Sequence, residues 1–128
     1  MPPAKQCLSS DRLPPAVGPY SQAVACGDFL FCSGTLPLDP ETRKPVPGGI
    51  AEQTRQVLAN LTRLLEDCGS APDKVVKTTC FLQNMEHFAE FNAIYAEVFA
   101  HEPPARSTVQ VARLPLDVLV EVEAIAYR

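Results

Sequence analysis

Clusters of basic residues are missing from this sequence. Its 11 Lys and Arg are scattered among 15 Asp and Glu, and the formal net charge is −4. A protein that binds a nucleic acid backbone broadly needs a positive face, so this balance argues against that function. No stretch approaches the roughly 18 apolar residues of a membrane span. The opening "MPPAKQCLSS" lacks the layout of a signal or transit peptide, and we expect a cytoplasmic protein.

Motifs for metal binding and for common nucleophilic chemistry are also absent. The five cysteines form no C-x-x-C pair, which predicts free, mostly buried thiols in a reducing compartment. His87 and His101 have no ligand-type neighbour at helical spacing, so we expect surface or helix-end positions. No G-x-S-x-G elbow and no phosphate loop occurs. The sequence therefore indicates neither a metal nor an organic cofactor.

Alternating strand and helix patterns fill most of the chain. With 128 residues, 46% of them apolar and 20% charged, the sequence fits a single globular domain over 1–128. The order β-β-β-α-β-α-β-β predicts a two-layer α+β fold, a mixed sheet covered on one face by two helices. The other sheet face would need a partner or water. The main elements are β-prone runs in 24–34, a helix from Ile50 to Cys68 ended by Gly69, a strand in 73–83, a helix in 85–100, and strands in 107–113 and 118–127, the last two separated by a turn at Leu114-Pro115.

Two carboxylates share one face of the last strand. In "VLVEVEAIA", alternation sends Glu121 and Glu123 to one side together with Leu119 and Ile125. Burying both charges alone would cost several kcal/mol for each, so they need solvent or a nearby cation. The pattern is equally compatible with a solvated sheet face and with a polar ligand site.

One arginine stands at the start of an apolar strand. In "PPARSTVQVARLP", Arg106 follows two prolines on a stiff segment. A guanidinium suits bidentate binding of a carboxylate or phosphate, whereas a salt bridge at the rim would be worth under about 1 kcal/mol. If this strand pairs with the last one, the distance from Arg106 to Glu121 depends on the register. From the residues alone, an anion-binding role and a surface salt bridge are both possible for Arg106.

Taken together, several segments resemble the RidA/YjgF/translation-inhibitor family of small enamine and imine deaminases. They are "GPYSQAV", "FCSGTLPLDP", "VVKTTCFL", "FNAIYAEVF" and, above all, "PPARSTVQVARLP" followed by "VEVEAIA". The resemblance implies a chorismate-mutase-like fold and a homotrimer whose sheets form an inner barrel, with ligand clefts between subunits. It implies hydrolysis of 2-iminobutanoate and of 2-iminopropanoate, with its tautomer 2-aminoacrylate, to 2-oxo acids and ammonia. No cofactor is implied.

The family pattern also assigns roles to residues. Arg106 matches the arginine that clamps the substrate carboxylate, and Glu121 matches the acid that orients or activates water. Two positions depart from the deaminating members: Thr108 stands where cysteine is common, and Thr35 where glutamine is common. The expected substrate-binding residues are Tyr20, Ser33, Gly34, Asn92, Arg106 and Thr108.

Two other functions remain as alternatives. The same trimer could bind 2-oxo acids or act like a chaperone without useful turnover. An endoribonuclease or translation inhibitor is a further alternative, which the net charge of −4 and the lack of a basic aromatic platform disfavour.

Overall fold

Six strands and two helices account for most of the chain. The computed structural model describes residues 4–128. The strands are β1 (Gln6–Leu8), β2 (Ala23–Cys26), β3 (Phe29–Thr35), β4 (Val75–Leu82), β5 (Ala105–Gln110) and β6 (Val120–Tyr127), and the helices are α1 (Ile50–Asp67) and α2 (Phe88–Phe99). The predicted element order and the α+β class are confirmed.

The strands form one mixed sheet in the order β1-β2-β3-β6-β4-β5. Strand β6 is antiparallel to both β3 and β4, so β3 and β4 run parallel to each other with β6 between them. Strand β5 is parallel to β4 at the edge of the sheet. Each helix is therefore a crossover between parallel strands, with α1 leading from β3 to β4 and α2 from β4 to β5.

The two helices cover one face of this sheet, as predicted. Along β6 the burial alternates, with Val120, Val122 and Ala124 almost inaccessible to solvent. The same alternation in β4 buries Cys80 and Leu82. These side chains pack against the apolar stripe of α1 and the aromatic residues of α2 in one continuous core.

The opposite face of the sheet is open. Phe29 and Phe31 of β3 keep 48% and 45% of their surface exposed there. Glu121 and Glu123 point to this side, because they alternate with the buried residues of β6. The prediction that one face lacks a covering layer within the chain is confirmed.

Helix α1 ends as its sequence predicts. Gly69 has φ +86, a left-handed conformation that glycine adopts without steric cost. The amide of Gly69 donates to the carbonyl of Glu66, and the amide of Ser70 donates to the carbonyl of Leu65, at 3.2 and 2.8 Å. This pair of bonds is a Schellman motif, which satisfies two otherwise free carbonyls.

The position of the arginine strand differs from the prediction. Strand β5 covers 105–110 and not 107–113, so Arg106 lies within it. The predicted turn at Leu114-Pro115 does not join paired strands, because β4 lies between β5 and β6. Chain order and sheet order differ here because α2 carries the chain to the edge of the sheet before β6 returns to the centre.

The remaining expectations concern cysteines, histidines and membranes. All five cysteines are free, and Cys32, Cys68 and Cys80 are buried. His87 is half-buried at the start of α2, and His101 is exposed just beyond its end. Over residues 4–128, no helix is both long and apolar enough to cross a lipid bilayer.

Candidate active site

The carboxylate of Glu121 lies over a bulge in the neighbouring strand. The register between β3 and β6 shifts between Cys32 and Thr35, which places Gly34 in the irregular part of β3. A Cβ added to Gly34 would lie 2.8 Å from Cδ of Glu121 and would collide with its carboxylate oxygen. Glycine at this position is therefore what allows the carboxylate to approach the backbone.

Ser33, in the same bulge, is held at both its backbone and its side chain. Its amide donates to the carbonyl of Gln22 at 2.9 Å, and its hydroxyl donates to the carbonyl of Ser21 at 2.6 Å. Because the hydroxyl proton is engaged, the lone pairs of Ser33 Oγ remain available as acceptors. The sequence "SQ" at 21–22 thus orients the serine.

Tyr20 stands on the segment before β2. The amide of Tyr20 donates to the carbonyl of Gly18 at 2.8 Å, which makes a tight turn around Pro19. The side chain of Tyr20 keeps 53% of its surface exposed. Its ring borders the space above Ser33.

These residues line one cavity of about 790 Å³. Tyr20, Ser33, Gly34 and Glu121 are all part of its wall, so the structure brings four of the predicted site residues together. Thr35, which stands where glutamine is common in the family, also lines this cavity, and its hydroxyl donates to the carbonyl of Ser33 at 3.5 Å. The rest of the wall is largely apolar: Leu13, Pro14, Pro15, Val17, Leu36, Leu38, Leu64, Pro115 and Leu116.

The environment of Glu121 favours its protonated form. Burial raises the pKa of this carboxyl group, and the negative charge of Glu123 on the same strand face raises it further. A carboxyl group whose pKa is shifted towards neutrality can both accept and return a proton during a reaction. This property suits a group that activates water.

Arg106 belongs to a different environment, under helix α2. Its Nη1 donates to Oδ1 of Asn92 at 2.7 Å. Its Cζ lies 4.8 Å from the ring centre of Tyr95, 5.5 Å from that of Phe88 and 6.0 Å from that of Phe91. The guanidinium is therefore fixed by cation–π contacts and one amide. Among residues 4–128, no carboxylate lies within ion-pair distance of it, which leaves the charge free for an anionic ligand.

Thr108 lies two residues further along β5, on the same side as Arg106. Its Oγ1 is buried and has no hydrogen-bond partner in residues 4–128. Its strand partner is Cys80, whose Sγ donates to Thr78 Oγ1 at 3.9 Å. Arg106, Asn92 and Thr108 thus form a second group of predicted site residues, and Thr108 brings an unsatisfied hydroxyl to it.

The two groups do not meet within one chain. Arg106 is in register with Thr78, whose side chain is fully buried on the helix side of the sheet. Glu121 points to the open side. Neither Arg106, Asn92 nor Thr108 lines the cavity that contains Glu121. The predicted site residues therefore lie in two separate groups, which we call the guanidinium half (Arg106, Asn92, Thr108) and the carboxylate half (Tyr20, Ser33, Gly34, Glu121).

Sequence reasoning missed two supporting features. Gln22 Nε2 donates to the carbonyl of Pro14, and its Oε1 accepts from the amide of Ser10, so this side chain fixes the wall that leads to Tyr20. The ring of Tyr95 stacks on Arg106, while its hydroxyl lies 2.8 Å from Thr78 Oγ1. Gln22 carried no signal, since a lone glutamine beside a strand is usually exposed. The spacing of Phe88, Phe91 and Tyr95 at three and four residues indicated one helix face, but not its contact with Arg106.

The chain matches known proteins over nearly all of its length. A family model described as Endoribonuclease L-PSP covers residues 10–128. Reactive Intermediate Deaminase A of Arabidopsis thaliana, a chloroplastic protein, is 45% identical over 122 residues, which cover 95% of this chain and 65% of that protein. The chain belongs to the RidA/YjgF family. A RutC family protein of Pyrococcus abyssi is a second RidA/YjgF relative, 46% identical over 125 residues and 98% of each chain.

The solved structures support the same assignment. The crystal structure of E. coli TdcF with bound serine matches this fold with a TM-score of 0.89 at 37% identity, over 96% of this chain and 98% of that chain. The mixed sheet with two helices is thus the fold of the RidA/YjgF family, as the sequence motifs predicted. Among residues 4–128, no group of His, Cys, Asp and Glu side chains is arranged to hold a metal ion.

Proposed function

We propose that this protein catalyses the hydrolytic deamination of 2-imino acids and their enamine tautomers, with 2-iminobutanoate and 2-iminopropanoate as substrates. The observation that carries the proposal is the complementarity of the two halves. One offers a guanidinium that has no carboxylate partner within residues 4–128, and the other offers a carboxyl group and an oriented hydroxyl for water. A 2-imino acid has its carboxylate beside the electrophilic C=N carbon, so it needs both functions at adjacent places.

The two halves meet between copies of the chain in this proposal. The open sheet face, with Phe29 and Phe31 exposed, needs a covering partner, and a second copy supplies one. In a cyclic assembly, the guanidinium half of one chain would face the carboxylate half of the next chain. A homotrimer with three such sites is the assembly we propose, and its mass in solution should be three times the 13.9 kDa of one chain.

The reaction needs few groups. Arg106 binds the substrate carboxylate through two parallel hydrogen bonds, and the Ser33 lone pairs accept from the imine or from the water. Glu121 takes a proton from water as the oxygen attacks the C=N carbon, and it gives this proton to the imine nitrogen, which produces a neutral carbinolamine. Glu121 then takes the proton of the carbinolamine hydroxyl and gives it to the same nitrogen as the C=O bond forms and the C–N bond breaks, so that ammonia leaves and the carboxylate is restored. One water is consumed, and one 2-oxo acid and one ammonia are released.

A coupled assay tests the activity. Threonine dehydratase releases 2-iminobutanoate, so adding wild-type protein should speed the appearance of 2-oxobutanoate, whereas Arg106→Ala should not. Arg113→Ala is the matched control, because Arg113 pairs with Asp117 on the surface and lines neither half. An unchanged rate with wild-type protein would leave the 2-oxo acid-binding alternative in place of catalysis. Full activity in Arg106→Ala would remove the clamp from the mechanism.

Mixed assemblies test whether the site is shared. When Arg106→Ala and Glu121→Gln chains are co-expressed, some interfaces combine an intact arginine with an intact glutamate from different copies. About one quarter of the wild-type rate should return if each site draws on two chains and the chains mix at random. No recovery in purified mixed assemblies would place both residues in the same chain's site.

Because the matching family model is described as Endoribonuclease L-PSP, ribonuclease activity should be tested separately. The net charge of −4 argues against strong binding to a phosphate backbone. We therefore expect no RNA cleavage above that of an Arg106→Ala preparation purified in parallel. Cleavage by the wild-type protein alone would favour the nuclease function.

A further inference from the structure

A single cationic side chain lines the cavity of the carboxylate half. Over residues 4–128 that wall includes one cation, Arg43, and one anion, Glu121. The two are not an ion pair, and the guanidinium is not among the charges that shift the pKa of Glu121. Arg43 and Glu121 therefore line the same cavity without contacting each other as an ion pair. Apolar side chains such as Leu36 and Leu38 also line this cavity.

Arg43 has a second unusual property, because its side chain has no partner. Each of the other six arginines makes a hydrogen bond or an ion pair through its guanidinium: Arg12, Arg55, Arg63, Arg106, Arg113 and Arg128. Within residues 4–128, the Arg43 side chain makes neither. An unpaired guanidinium at a cavity wall is available to an anionic ligand in that cavity.

The backbone holds Arg43 in a conformation that this residue type rarely adopts. Its φ is 62, in the left-handed region that favours glycine. Asp39 builds the turn, since its Oδ1 accepts from the amides of Glu41 and Thr42 at 2.8 and 3.2 Å. The carbonyl of Asp39 also accepts from the amide of Arg43 at 2.8 Å. The arginine is thus presented from a stiff turn at a conformational cost that a glycine would avoid.

We propose that Arg43 forms a second anion subsite, which binds a carboxylate at the far end of the substrate side chain. The inference rests on the proposed function: Arg106 of a neighbouring copy holds the carboxylate next to the imine, so Arg43 remains for another negative group. The favoured substrates are then 2-imino dicarboxylic acids, whose methylene carbons lie along the apolar wall. Arg43 determines specificity and takes no part in proton transfer.

Binding of the stable product acids tests the subsite. Calorimetric titration with 2-oxoglutarate and 2-oxobutanoate compares a ligand that has the second carboxylate with one that lacks it. Arg43→Gly suits the left-handed turn and should fold like the wild type. It should weaken 2-oxoglutarate binding roughly fivefold and leave 2-oxobutanoate binding unchanged. Added salt should reduce the difference between wild type and variant.

Lys44→Ser is the matched control, because it removes the same charge from the next position in the turn but does not line the cavity. It should bind both acids like the wild type. The subsite is wrong if Arg43→Gly weakens both ligands equally or neither, or if Lys44→Ser reproduces its effect. If the wild type binds no 2-oxo acid and accelerates no imine hydrolysis, the proposed function and the subsite both fail. Normal 2-iminobutanoate hydrolysis with no Arg43-dependent discrimination overturns the subsite alone.

Discussion

Arg106 and Glu121 lie on opposite faces of one sheet, and strand β4 separates the strands that carry them. The side chain of Arg106 lies under α2 with Asn92, while that of Glu121 lies over Gly34 on the open side. Burial raises the pKa of the Glu121 carboxyl, and the arginine has no carboxylate partner within residues 4–128. The guanidinium half therefore lacks a proton acceptor, and the residues of the carboxylate half include no cation for the carboxylate beside the imine. A site shared between two copies of the chain would contain both groups.

The side-chain amide of Asn92 orients Arg106 without neutralising its charge. Because Asn92 Oδ1 accepts from Arg106 Nη1 without adding charge, the guanidinium keeps its full attraction for a carboxylate. We expect Asn92→Ala to raise KM for 2-iminobutanoate roughly fivefold through the loss of orientation. Asn92→Asp should raise KM more, about tenfold or beyond, because the new carboxylate competes with the substrate for Arg106. Steady-state kinetics at constant ionic strength measures both.

Asn84→Asp is the control for added charge on this surface. Asn84 caps the turn before α2 by accepting from the amide of Glu86, and aspartate fills that role equally well. This variant should behave like the wild type. An equal KM in Asn92→Asp and wild type would contradict the carboxylate clamp.

The outward direction of Glu121 could be predicted from the sequence, because strict alternation in 118–127 assigns each side chain to a face. The separation of Arg106 from Glu121 could not. A strand's own pattern indicates which side is buried, but it does not identify the neighbouring strand. The two strands follow one another in the chain, but the sequence left open whether they pair, and in the structure β4 lies between them. The support that Tyr95 gives Arg106 was unpredictable for the same reason, since it depends on where α2 crosses the sheet.

Gly34 gives the Glu121 carboxylate the room it occupies. In Gly34→Ala the new methyl group would collide with that carboxylate and displace it. Because Glu121 is a flexible side chain, we expect it to move while the strand stays in place. The rate of imine hydrolysis should fall about 10- to 100-fold with little change in melting temperature. Gly49→Ala is the control: a Cβ there meets nothing within 4 Å, and its rate should stay near the wild-type value. A fully active Gly34→Ala would show that the position of Glu121 is unimportant.

The pH dependence of the rate should follow the Glu121 carboxyl group. As a general base it must be ionised, so kcat should rise with pH through its raised pKa and then level off. Replacing its neighbour by Glu123→Gln removes one of the two causes of the shift, the other being burial. The half-maximal rate should therefore move to lower pH, with the plateau unchanged. An unmoved pH profile would mean that another group controls the rate.

The same shift has a consequence for stability. A carboxyl group with a raised pKa in the folded state binds its proton more tightly there than in the unfolded chain. Stability should therefore decrease as the pH rises from the usual value of 4.5 towards the folded pKa, because the folded state then holds the extra proton. Glu121→Gln should remove this decrease. Denaturant midpoints of both proteins across this pH range measure the effect.

Asp67 fastens the segment that leads to Tyr20 onto the end of α1. Its Oδ1 accepts from Arg12 Nη2 at 2.8 Å, its Oδ2 accepts from Arg12 Nε at 3.0 Å, and the hydroxyl of Ser10 also donates to Oδ2. The bonds from Arg12 and Ser10 hold the pKa of Asp67 below its usual value. For a carboxyl group with a lowered pKa, the stabilisation is fully present above the unfolded value of 3.8 and is lost as the pH falls through the folded pKa.

We therefore expect Asp67→Asn to unfold at lower denaturant concentration than wild type at pH 7, and the two midpoints to converge in acid below the folded pKa. Asp117→Asn is the comparison, because Arg113 also lowers the pKa of the Asp117 carboxyl, but this ion pair joins residues only four apart in the chain. Breaking that local pair should change the midpoint little, since it closes no long loop of chain. A loss in Asp67→Asn that persisted undiminished at the lowest pH would assign its cause to packing and not to the charge of Asp67.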